Sequence, residues 1–161
     1  MKRSRVIASV LVILAAVVAV VIGQTEKDNP QIGTWKMNLT KSTFNSGTGF
    51  KSAISRIEAV GAGVRHRLDT VYADGTTRQY EYTTNYDGKD MPVVGNSPYG
   101  DTTALTRVDA NTTRTVYKLH GKVTVIQTSV VSNGGKTRTV TSKGTNPKGQ
   151  AVNSVSVYDR Q

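Results

Sequence analysis

Beyond residue 32 the hydrophobic and polar positions fall mostly into short runs with a period of two, the pattern of strands with one buried face. In 33–39, Trp35, Met37 and Leu39 alternate with Thr34, Lys36 and Asn38. Similar Thr-, Val- and Tyr-rich runs cover 52–60, 64–72, 77–85, 102–109, 113–119, 122–132, 137–145 and 150–159. Turn chemistry separates them: Gly61-Ala62-Gly63, Asp74-Gly75, Ala110-Asn111, His120-Gly121, Asn133-Gly134-Gly135 and Asn146-Pro147-Lys148-Gly149. Asp-Gly between alternating runs is a strong hairpin cue, because glycine accepts the positive φ of a type I′ turn. Residues 41–51 are polar and dotted with glycine, a loop. Asp87-Gly88 opens a longer connection carrying Pro92, Gly95, Pro98 and Gly100. After residue 24 there is no helical periodicity of useful length.

About nine strands joined by short turns pair as sequential neighbours, an antiparallel up-and-down meander. Left flat, it would expose two edges; curling it into a barrel removes them. The apolar stock is mainly valine, with few Leu, Ile, Phe or Met. A two-sheet sandwich, the alternative, needs two well-stocked inner faces, whereas a barrel with a partly wet interior can line itself with Thr, Ser and Tyr. The expectation is therefore an all-β barrel of about 8–10 strands, preceded by an N-terminal signal helix.

That helix is read from the first 23 residues. Lys2, Arg3 and Arg5 precede an apolar and small run, Val6 to Ile22, and Val21 and Gly23 provide small residues at the −3 and −1 positions of a signal-peptidase site. Cleavage is expected between Gly23 and Gln24. An uncleaved anchor is the alternative, since 17 residues lie near the lower limit for crossing a bilayer. Either way the rest of the chain lies outside the cytoplasm, periplasmic or secreted. The expected organisation is a signal segment at 1–23, a linker at 24–31 and one β-domain at 32–161. The absence of cysteine excludes a disulfide framework or disulfide-linked partner. The formal charge is +10, or +7 once Lys2, Arg3 and Arg5 are removed. That favours anionic surfaces, but the basic residues are scattered along the strands with no dense run.

Two stretches carry a family resemblance. Gly33-Thr34-Trp35-Lys36-Met37-Asn38-Leu39, followed by Lys41-Ser42-Thr43-Phe44, resembles the first-strand signature of the calycin superfamily, the lipocalins and fatty-acid-binding proteins. In that signature a Gly-x-Trp places an indole in the closed end of a barrel, which makes Gly33 and Trp35 the expected markers of the barrel floor. Residues 30–161 as a whole resemble a group of small exported bacterial proteins. The resemblance rests on Tyr86-Asp87-Gly88-Lys89-Asp90-Met91-Pro92-Val93, Gly135-Lys136-Thr137-Arg138-Thr139-Val140-Thr141 and Val157-Tyr158-Asp159-Arg160-Gln161. It implies a lipocalin-like barrel and brings no activity with it. Fatty-acid-binding proteins hold their ligand carboxylate with an Arg-x-Tyr pair on the last strand. Here Ser156 stands where that arginine would be, and residues 45–51 are poor material for a helical lid.

Residues able to do chemistry are sparse. His66 lies inside a strand between Arg65 and Arg67, His120 lies in a turn, and neither has the spacing of a zinc site. No Gly-x-Ser-x-Gly elbow marks a nucleophile, and Gly121-Lys122 and Gly135-Lys136 lack the glycine spacing and helix of a phosphate loop. Asp87-Gly88-Lys89-Asp90 lacks the alternating ligands of a calcium loop and reads as a turn. Six tyrosines (72, 80, 82, 86, 99 and 117) together with Arg65, Arg67, Arg78 and Arg114 can stack on bases or sugars. Export makes nucleic acid a poor partner. The expectation is a non-enzymatic protein with no catalytic residue, cofactor or metal. It would hold a small amphipathic or apolar molecule in the barrel interior; the alternative is an envelope module that binds anionic lipid or polysaccharide through its outer surface.

Overall fold

The computed structural model describes residues 28–45, 49–132 and 134–161. The signal segment and most of the linker lie outside the described residues. The nine long strands are β1 (Gly33–Met37), β2 (Phe50–Val60), β3 (Gly63–Tyr72), β4 (Thr77–Thr84), β7 (Thr102–Arg107), β8 (Thr112–Leu119), β9 (Lys122–Val131), β10 (Thr137–Thr145) and β11 (Ala151–Arg160). They were all legible as alternating runs. Two further strands, β5 (Met91–Pro92) and β6 (Val94–Gly95), lie in the connection after Asp87, where none was expected.

All eleven form one continuous sheet in the order β5-β7-β8-β9-β10-β11-β1-β2-β3-β4-β6, with every pairing antiparallel. First meets last: Trp35 pairs with Arg160 and Met37 with Tyr158. One sheet closing on itself is not a sandwich. The remaining gap, between β4 and β7, is spanned by residues 91–95. Their first half pairs with β7 (Met91 with Thr103) and their second half with β4 (Gly95 with Tyr80), so five residues act as one bent stave. Gly95 makes this possible: its φ is 94°, and a Cβ there would lie 2.6 Å from the Gln79 carbonyl oxygen. The molecule is an all-β, antiparallel, nearly closed barrel.

β1 is shorter than its alternation predicts. Asn38 leaves the strand and its side chain accepts a hydrogen bond from the Lys41 amide, capping a single 3-10 turn at Leu39–Lys41. Leu39, expected on the buried face, is consequently exposed. A local capping bond offers the backbone an alternative to the ladder and takes it.

Along each strand, alternate side chains enter the barrel. Near one end, the floor, Trp35, Ile57, Val64, Leu105 and Val131 pack into an apolar cluster with Met37, Val140 and Tyr158. A second cluster contains Tyr80, Tyr82, Tyr117 and Val125. Many of the other inward positions are small and polar, among them Ser55, Thr70, Thr113, Thr115, Ser129, Ser142 and Ser156, all buried. A sequence poor in large apolar residues thus fills a barrel with hydroxyls and phenols.

The candidate functional site inside the barrel

The floor is built first. Trp35 has no exposed surface, and its Nε1 donates to the Gln31 carbonyl oxygen at 2.9 Å. Arg160 lies across the indole with its Cζ 4.1 Å from the ring centroid, a cation–π contact. Its guanidinium donates to three carbonyl oxygens, those of Pro30 (2.7 Å), Ile32 (2.7 Å) and Gly135 (2.5 Å). Gly33 is required beneath it. With φ at 141°, a Cβ at this position would stand 2.5 Å from Arg160 Nη1. Gly33 and Trp35 are therefore placed together at the floor with Arg160, which sequence reading did not single out. Asn29 and Gln31, assigned above to the linker, are buried in the same floor, where the Asn29 amide donates to the Tyr86 hydroxyl at 2.5 Å.

Above the floor runs a polar network drawn from residue 31 and five strands, β2, β3, β4, β9 and β10. Arg138, the second residue of β10, shares the inward parity of Val140 and Ser142 and is only 7% exposed. Its Nε donates to Ser129 Oγ (2.7 Å) and Gln31 Oε1 (3.2 Å), and its Nη1 to Ser55 Oγ (2.9 Å). Ser55 Oγ lies 2.8 Å from His66 Nε2, and His66 Nδ1 lies 2.8 Å from the Tyr82 hydroxyl. Ser55 already accepts from Arg138, so the arrangement that uses every donor sends the serine proton to Nε2 and the Nδ1 proton to Tyr82. Burial, reinforced by the Arg138 charge, lowers the His66 pKa from 6.5 to about 3, so the imidazole is neutral at pH 7. Burial raises the phenols of Tyr80, Tyr82, Tyr117 and Tyr158, which stay protonated. Burial also lowers the Arg138 pKa, but from a starting value high enough to leave it the charged member of the network.

In the sequence, Ser156 and not an arginine stands two residues before Tyr158. The structure supplies one from the neighbouring strand: Arg138 is paired in register with Tyr158, its guanidinium carbon 5.7 Å from the ring centroid. Arg78 and Arg138 share a local sequence, Gly-x-Thr-Arg at 75–78 and 135–138. Both arginines turn inward at the start of a strand, and both line the same cavity.

That cavity measures about 70 Å³. Its lining mixes polar groups, among them Arg138, His66, Ser55 and Ser156, with apolar ones, Met37, Leu68 and Val140. At the opposite end from the floor, Phe44, Phe50 and Tyr72 form an aromatic rim, with centroids 4.6 and 5.3 Å apart and Arg78 over Tyr72. Pro98 and Tyr99 lean in from the loop after β6, and the Tyr99 ring lies 5.2 Å from that of Tyr117. A smaller void of about 20 Å³ lies on the other side of Arg138 and His66, which line both spaces.

The remaining candidates are not brought together. His120 is exposed in its turn beside Asp101, and Asp87 and Lys89 pair with each other in theirs. Tyr80, Tyr82 and Tyr117 are interior, so the tyrosines do not make an outer stacking face. Outside, Arg56, Arg65 and Arg67 are interleaved with Glu58 and Asp69 in ion pairs of 2.5 to 3.9 Å. Among the described residues no group of three or more His, Asp or Glu is placed to hold a metal.

The class that architecture and interior define is an antiparallel β-barrel with a small polar-to-apolar cavity, compatible with a lipocalin-like barrel. No protein-family model matches the chain, and no curated protein matches it either.

Proposed function

We propose that this protein is an exported, non-enzymatic carrier that holds a small amphipathic molecule inside its barrel. One observation carries the reading: one space inside the barrel is lined both by hydrogen-bonding groups, among them Arg138, His66, Ser55 and Ser156, and by apolar ones, Met37, Leu68 and Val140, with an aromatic rim at its mouth. Binding pockets characteristically combine apolar walls with a few fixed polar groups. The basic, apolar, small-residue pattern of residues 1–23 supports export. Outside the barrel, the interleaving of acids among the arginines of β2 and β3 speaks against an anion-binding outer surface there.

The test is native mass spectrometry of protein purified gently from its own cell envelope, followed by denaturation to release what is bound. The expected result is a stoichiometric small molecule lost together with the fold. Protein that arrives bare, and whose thermal unfolding no small amphiphile in a broad panel alters, would overturn the reading.

A further inference from the structure

The cavity receives two arginines and no carboxylate. Arg78 and Arg138 both line it, and its other lining residues include neither Asp nor Glu. Arg138 lies deep, and the acceptors of its hydrogen bonds are all neutral: two hydroxyls and one side-chain amide oxygen. Its Nη2 has no hydrogen-bond partner among the described residues. The tyrosines around it are protonated and supply no counter-charge. A buried cation surrounded only by neutral acceptors is costly, because its lost hydration is not offset by an opposite charge. The missing charge can come from a molecule that enters.

We propose that the interior takes a small organic acid, its carboxylate at Arg138 and its apolar body along Met37, Leu68 and Val140. This rests on the carrier reading above and names the ligand's class. The size follows from the space: about 70 Å³ corresponds to about five solvent spheres, which limits the acid to fewer than about ten non-hydrogen atoms. A bare inorganic anion would satisfy the charge and leave the apolar wall unused. Arg78, at the rim, adds a second positive charge on the entry path and speeds capture of anions.

The experiment is calorimetric titration of the whole protein, stripped by solvent extraction, with butanoate and benzoate against their neutral amides and against sulfate. The acids are expected to bind at least about tenfold more tightly than the amides, the worth of one charge-assisted hydrogen bond. Arg138→Gln should abolish that preference, and Arg78→Gln should slow association while keeping it. If Arg138→Gln fails to fold, the acid-to-amide ratio in the unaltered protein decides alone. Equal binding of acid and amide, or sulfate matching the carboxylates, overturns the assignment. Should neutral amphiphiles bind and acids not, the acid falls and the carrier stands; should nothing bind, both fall.

Discussion

Arg138 and His66 are two basic residue types buried in one hydrogen-bond network, and only the first carries a charge. The histidine is neutral because burial penalises its cation and Arg138 repels it, holding its pKa near 3 against 6.5. Between those values the unfolded chain binds a proton that the folded chain refuses. Stability should therefore fall as pH drops from about 6.5 towards 3, by up to about 1.4 kcal/mol per pH unit from this one group. Denaturant unfolding at pH 6.5 and 5.0 checks this, with His66→Gln expected to flatten the slope. An equal slope in both proteins would mean that His66 is not buried as the neutral form. Gly33 and Trp35 stand out in the sequence because their spacing is a local signal. Arg138 does not, because a charged residue on an alternating strand reads as solvent-facing. Its neutral acceptors come from residue 31, β2 and β9, which only tertiary structure brings together.

At the scale of elements, the nine long strands were readable because alternation and turn chemistry agree at each of them. The expected run at 137–145 coincides with β10, and 64–72 falls one residue short of β3. The stave at 91–95 was not readable: two-residue strands have no period, and Pro92 reads as a connection. It nevertheless joins the two ends of the sheet. Gly95→Val should therefore press a side chain into the Gln79 carbonyl and impose a backbone conformation that valine resists, at a cost of about 1–3 kcal/mol. Hydrogen exchange should accelerate at 79–81 and 94–96 and remain slow between β10 and β11. Uniform acceleration, or none, would show that the seam is not a separate weak point.

For the molecule as a whole, closure depends on β1 meeting β11 across nearly the entire described chain. Such distant pairing is slow to form, so refolding followed by the sole tryptophan should take milliseconds to seconds, and a microsecond phase carrying the full Trp35 signal would contradict this order of events. A barrel was legible in outline because an apolar stock that is mainly valine, with few Leu, Ile, Phe or Met, does not supply the two well-stocked inner faces of a sandwich; the size of its interior was not, since that depends on how Tyr80, Tyr99 and Tyr117 pack. The meeting of β1 and β11 has a mechanical consequence. They run in opposite directions, and residue 30 and residue 161 both lie at the floor, where the Gln161 amide donates to Thr34 O at 2.9 Å. A force applied between those two points loads the ladder bonds one after another, like a zipper, instead of shearing them all at once. The barrel can thus be peeled open by a weak pull from beneath.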